Sequence, residues 1–286
     1  MLQNLRQIKN RIRSIDNTRK VTSAMEMISV TKLARVNKAI SSFRVYFSKL
    51  EGIFSQLVSS QDKIAHPYFD KKPGPVALLV ITSDSGLCGL YNNSILRFAD
   101  DFLAREGNEN VRLVIVGRKG FNYFKHRHAH ILNSYLGLNG RYSDTAIDNI
   151  TTYLTGIFLK GDVSQVHVAY THKEKMAIYK NRADKLLNME LPAVIAQAYP
   201  KQCIFEPDIN SLLEEFIPRY IYLKMRLIFL EAFASEHASR AVAMKAATDN
   251  AEDLSQSLVL LRNKVRQATI TQDILEIISS AEALKG

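Results

Sequence analysis

His126, His128 and His130 stand at alternate positions, and on a strand that spacing would turn all three imidazoles to one face, as a metal site requires. No Cys or acid lies near them, so they are read as a solvated face or a helix-to-strand junction. The run TSDSGLCGLYN at 82–92 follows an apolar, β-branched run, where a doubly wound fold would place its phosphate-binding turn. It carries Gly86 and Gly89 but lacks the GxGxxG spacing, and no GxxxxGK occurs anywhere. Its glycines are therefore read as suppliers of positive φ in a tight turn. Cys88 and Cys203 are isolated and match neither a metal nor a redox spacing, as in ordinary packing roles in a reducing compartment. No Ser-His-Asp order, paired-carboxylate signature, HExxH or GxSxG appears. No self-contained active site, cofactor or metal is expected.

The residues that break helices show how the chain is laid out. All seven Pro and eleven of the twelve Gly fall between Gly52 and Pro218 of the 286 residues. Two breaker-free ends thus flank a conventional middle, and domains are expected at 1–60, 61–207 and 208–286. QDKIAHPYFDKKPGP at 61–75 reads as the polar link into the middle. There, VALLVIT at 76–82, VRLVIVG at 111–117 and QVHVAYT at 165–171 alternate with helical stretches near 92–105 and 142–158. Continuous apolar strands separated by helices predict a Rossmann-like α/β domain, its parallel sheet covered on both faces.

Both ends read as long helices. From Arg219 to Lys285 there is neither Gly nor Pro over 67 residues, a rod of roughly 100 Å if unbroken. Asp208 is expected as its N-cap and Pro218 as a kink or early break. Apolar and small residues recur by threes and fours from Tyr220 through Met244, Thr248 and Ala251. They resume, after a phase slip, at Leu254, Leu258, Leu261 and Val265. Ala234, Ala238, Ala241 and Ala247 predict a close approach to a partner. At the N-terminus Leu2, Leu5, Ile8, Ile12 and Ile15, then Thr22, Met25 and Ser29, form a second seam, with Met25 and Met27 read as gap fillers. The two terminal helices are expected to pair as a long antiparallel coiled coil. Residues 1–51 carry eleven Lys or Arg against three acids, within a formal net charge of +10. That basic end suits an acidic protein surface, nucleic acid or anionic lipid. A nucleic-acid scaffold would need aromatic or Arg readout clusters on the middle domain, and none is found.

NTRKVTSAMEMISVTKL, TSDSGLCG, ASEHASRAVAMKAATDNA and NKVRQATITQDILEII together resemble the gamma subunit of the F-type ATP synthase, over essentially the whole chain. The resemblance implies a non-catalytic central rotor shaft, one copy per complex, whose paired terminal helices turn inside a ring of alternating alpha and beta subunits. Its α/β domain would sit on the c-ring beside the epsilon subunit, touching the membrane only through that ring and binding no nucleic acid. It also implies that Met25 and Arg240 lie close together near the part of the ring that senses rotation. Arg266, Gln267, Ile270, Thr271, Gln272 and Asp273 would be catch contacts with beta, Asp273 replacing a longer Glu. Glu206 would lie near the c-ring loops, with Phe205 in place of the family's Tyr. Gly86, Leu87, Cys88 and Gly89 would form a partner-binding turn, with Leu90 where the family often has Gly. The chain shows neither a transit peptide nor the chloroplast thiol insertion, so the expected setting is the cytoplasmic face of a bacterial inner membrane.

Overall fold

The computed structural model describes residues 5–59, 66–127, 130–175, 178–190 and 209–283. Cys203, Phe205, Glu206 and Asp208 lie outside them, as does His128. The chain forms two compact units, Met1–Ser29 with Arg240–Gly286, and Val30–Ser239. Two helices contribute to both: α1 (Leu5–Ser59) and α5 (Ile209–Ala283).

In the larger unit five strands form one sheet: β1 (Val76–Ile81), β2 (Val111–Val116), β3 (Ile131–Tyr135), β4 (Gln165–Lys175) and β5 (Ile178–Leu187), in the order β3-β2-β1-β4-β5. The first four run parallel, but β5 returns antiparallel to β4, so the expected all-parallel sheet is corrected to a mixed one. Alternation along β1 builds two cores. Leu78 and Val80 meet α2 (Tyr91–Glu106) and α3 (Arg118–Phe124) through Ile95, Ala99, Phe102 and Phe124. Ala77, Leu79 and Ile81 face the other way, toward Ile150, Leu154 and Phe158 of α4 (Asp144–Lys160) and Ile228, Phe229 and Phe233 of α5. Helix α4 starts where the Ser143 side chain accepts from the Ala146 N–H and ends at left-handed Gly161.

From Ile228 to Ala238 every residue of α5 is buried, and a helix with no solvent face must lie inside a core. Ala232, Ala234 and Ala238 let its neighbours crowd in. The early break expected at Pro218 does not occur, and α5 continues through it. Pro218 lies on the solvent side of the helix, where the loss of one backbone hydrogen bond is least costly because water can take its place. The adjoining turns are clamped by rings: Phe54 stacks on Phe216 at 5.9 Å and on Tyr220 at 4.6 Å.

In the smaller unit α1 and α5 pair antiparallel. Ser255 donates to Asp16 at 3.0 Å, Arg19 to Glu252 at 2.6 Å and Thr248 to Thr22 at 2.8 Å, partner numbers rising on one helix as they fall on the other. Along α1 every step of the three-four series Leu5, Ile8, Ile12, Ile15, Arg19, Thr22, Glu26, Ser29 is buried or half-buried. On α5 the matching series is Ala241, Met244, Thr248, Ala251, Ser255, Leu258, Arg262, Val265. There is thus no phase slip: Leu254 and Leu261 are 43% and 39% exposed, and polar Ser255 and Arg262 hold the seam instead. Ser255 is tolerated there because Asp16 satisfies its hydroxyl. Met27, read as a gap filler, is 72% exposed and faces away from the seam.

Candidate functional site

In a doubly wound sheet a ligand crevice opens at the carboxyl ends of the strands where the strand order reverses, here between β1 and β4. This crevice is filled by the chain itself. Ser235 donates to the Thr171 carbonyl of β4, just past the end of its pairing with β1, at 2.9 Å, and Ser239 to the Cys88 carbonyl in the loop after β1 at 2.6 Å. The Tyr91 hydroxyl reaches the Ala232 carbonyl at 3.4 Å, and His237 Nε2 the Gly140 carbonyl at 2.9 Å. These bonds tie α5 to the loops after β1 and β3, to the start of α2 and to β4. Gly140 is required at its contact: its φ is +63°, and a Cβ there would stand 2.8 Å from His237 Cε1.

The loop after β1 is held from within. Asn92 accepts from the Ser83 N–H at 3.0 Å and donates to Ser83 Oγ at 2.8 Å and to Cys88 Sγ at 3.0 Å, which turns Cys88 inward. The Asp84 carboxylate accepts from the backbone N–H groups of Arg118, Gly137 and Asn139 at 3.1, 2.9 and 2.7 Å. It stands where such a fold would cradle phosphate, an anion supplied by the chain. Leu87 at φ +60° and Gly89 at φ +56° reverse the turn, leaving Leu87 and Leu90 61% and 77% exposed. A loop clamped from below and apolar at its tip suits contact with another protein rather than a nucleotide.

The sequence-named residues fall in three places. Gly86, Leu87, Cys88 and Gly89 form this turn. Met25, half-buried, and Arg240, buried, belong to the smaller unit, in which continuing the helix register sets Arg240 about one and a half turns of α5 beyond the residue facing Met25. Arg266, Gln267, Ile270, Thr271, Gln272 and Asp273 lie exposed on α5, where Thr271 donates to the Gln267 carbonyl at 3.0 Å and Gln272 to Glu276 at 3.0 Å. Beyond them Ile274, Leu275, Ile277 and Ile278 are all at least half exposed. His126 lies in the turn after α3 and His130 just before β3, a helix-to-strand junction rather than one strand face. Among the described residues no cluster of three or more His, Cys, Asp or Glu could hold a metal ion, and no helix is long and apolar enough to cross a membrane. Asp84 and Glu231 match no catalytic or metal-ligand motif in the sequence, and the one visible signal is Glu231 as an acid alone in the apolar run LIFLEAFA.

Residues 4–284 match the family described as ATP synthase. The ATP synthase gamma chain of Protochlamydia amoebophila is 34% identical over 99% of this chain and 100% of its own length. The chain belongs to the ATP synthase gamma chain family. The gamma chain of Geotalea uraniireducens is likewise 34% identical over the full length of both. Among solved structures, a chain of the Euglena gracilis mitochondrial ATP synthase (OSCP/F1/c-ring) aligns with a TM-score of 0.69 at 17% identity, covering 98% of this chain and 94% of that one. A chain of the Tetrahymena thermophila mitochondrial ATP synthase central stalk and c-ring aligns with a TM-score of 0.60 at 22% identity, covering 79% of this chain and 99% of that one. Members of the family are non-catalytic subunits, which accords with a crevice closed by the protein's own helix.

Proposed function

We propose that the chain is the central rotor shaft of an ATP synthase, carrying rotation of a c-ring to beta subunits that make ATP. The observation that carries this reading is the continuity of α5: one helix fills the sheet crevice and also supplies half of the helix pair. In this reading the α/β unit is the foot that meets the c-ring and the epsilon subunit, with Glu206 near the c-ring loops. The helix pair stands in the ring of alpha and beta subunits. Exposed Ile270, Ile274, Leu275, Ile277 and Ile278 form an apolar bearing surface, and Arg266, Gln267, Thr271, Gln272 and Asp273 are catch contacts beside it. Exposed Leu87 and Leu90 on the clamped turn meet a neighbouring subunit. Met25 and Arg240 lie where the ring senses angle. The basic face of α1 matches acidic loops on beta without a tight bidentate lock, which would oppose turning. The assembly is peripheral to the membrane, and we place it on the cytoplasmic face of a bacterial inner membrane.

The test is reconstitution. Combined with the alpha and beta subunits of its own complex, the chain is expected to yield an assembly that hydrolyses ATP and, on the c-ring, pumps ions. The isolated chain is expected to bind no ATP in the micromolar range by calorimetry. Failure to assemble, or ATP binding by the chain alone, would overturn the reading.

A further inference from the structure

We propose that Glu231 is a positioning residue, a buried clasp that fixes α5 to both α1 and the sheet so that all three turn together; this rests on the rotor reading above. Glu231 is 4% exposed in the wholly buried stretch of α5. Its Oε1 accepts from Arg44 Nη2 of α1 at 2.6 Å, and its Oε2 meets His172 Nδ1 of β4 at 2.7 Å. Ser235, one turn on, donates both to the Glu231 carbonyl at 2.8 Å and to the carbonyl of Thr171, the residue before His172. One carboxylate thus takes a polar partner from each of two elements, a directional contact added to the ring stacking, apolar core and Ser235 bond that also hold them against α5. The remaining charges facing it are internally matched: Arg182 pairs with Asp184 at 2.8 Å, and the Tyr170 hydroxyl donates to Asp184 at 2.9 Å.

Stability alone does not account for such an arrangement. A carboxylate removed from water must be paired to be tolerated, and apolar residues of similar volume often hold a core as well or better. What the ionic arrangement adds is direction, because apolar surfaces slide while two short hydrogen bonds from opposite sides fix one relative placement. Under load, a helix that slips against its foot dissipates rotation before it reaches the beta subunits.

The experiment compares wild type with Arg44→Ala and with the triple variant Arg44→Met, His172→Leu, Glu231→Leu. Three readouts are taken: melting temperature of the isolated chain, its amide exchange over residues 228–235, and ions pumped per ATP hydrolysed by the assembled complex. The triple variant is expected to melt at or above wild type, to exchange at least tenfold faster, and to pump at least twofold less per ATP; Arg44→Ala, which leaves the buried carboxylate short of a partner, melts below wild type and pumps at a ratio between the two. Unchanged exchange in the triple variant overturns the clasp, and so does coupling that declines only in step with melting temperature. Failure of the wild-type complex to pump would overturn the rotor reading, and exchange would still decide the clasp.

Discussion

Replacing Gly140 by Ala tests the docking of α5 into the sheet crevice at its tightest point. The new Cβ would stand 2.8 Å from His237 Cε1, 3.1 Å from its Nε2 and 3.2 Å from Glu236 Oε2. His237 and Glu236 are each 1% exposed, so neither can swing into solvent. Two terms add. The left-handed backbone at φ +63° costs an alanine about 1–2 kcal/mol, and forcing a methyl into a filled site costs about 1–3 kcal/mol more. A total of about 3 kcal/mol corresponds to a fall of about 6–12 °C in melting temperature for a unit of this size. Gly137→Ala is the internal control, since its φ is +88° but nothing lies within 4 Å of the added Cβ. It should lose only the backbone term, about 1–2 kcal/mol. Adding His237→Ala to Gly140→Ala opens the space the methyl needs, so the double variant should be less destabilised than the two single losses combined. Thermal unfolding followed by circular dichroism, with urea titration for the free energies, measures all four variants. If Gly140→Ala and Gly137→Ala melted within about 2 °C of each other, close packing of α5 on this loop would be refuted.

The seam register predicts that Leu258→Glu, at a buried position, destabilises the helix pair by about 2–4 kcal/mol, whereas Leu254→Glu at a 43% exposed one shifts it by less than about 1 kcal/mol; equal effects in urea titrations would restore the phase slip. Met25→Lys is expected to lower ions pumped per ATP while hydrolysis persists, and Arg240→Ala in the same chain to restore part of the loss, since both residues belong to one helix pair; parallel loss of both activities would remove the coupling role. Hydrogen bonds from Tyr142 and then Tyr222 hold the Asp144 carboxyl below the usual carboxylate range. The stabilisation is therefore complete above the unfolded value of about 4 and drains away as pH falls through the lowered folded one. Asp144→Asn should flatten that part of the curve of melting temperature against pH, and an unchanged slope would count against the pairing.

What could be read from sequence followed from periodicity. Unbroken apolar runs such as VALLVI declared central strands because both faces of such a strand are covered. β3 and β5 escaped notice because ILNSY is half-exposed at an edge and IYKNRADKLL interleaves charges with apolar residues. The phase slip was misjudged for a related reason: Leu254 and Leu261 are larger than Ser255 and look more like seam residues, yet a polar side chain with a partner across the interface outranks an apolar one facing water. No early break follows at Pro218 because local propensity yields to the aromatic clamp contributed by Phe54, more than 150 residues away in sequence. The candidate partner-facing turn was legible as a motif, TSDSGLCG, but not its support: the anchoring N–H groups come from the start of α3, at Arg118, and from the loop after β3, at Gly137 and Asn139, both distant in sequence.

The strict three-four spacing on both partners of the helix pair has a mechanical consequence. A seam repeating every 3.5 residues on helices that turn every 3.6 drifts by about 20° per heptad, so the helices must wind around each other left-handedly to stay in contact. A wound pair is chiral, and it does not resist twist equally in both senses. Torque in the sense of its own winding draws the strands together, and torque in the opposite sense loosens them. A shaft of this construction has a stiff direction and a soft one, built into it by residue spacing alone.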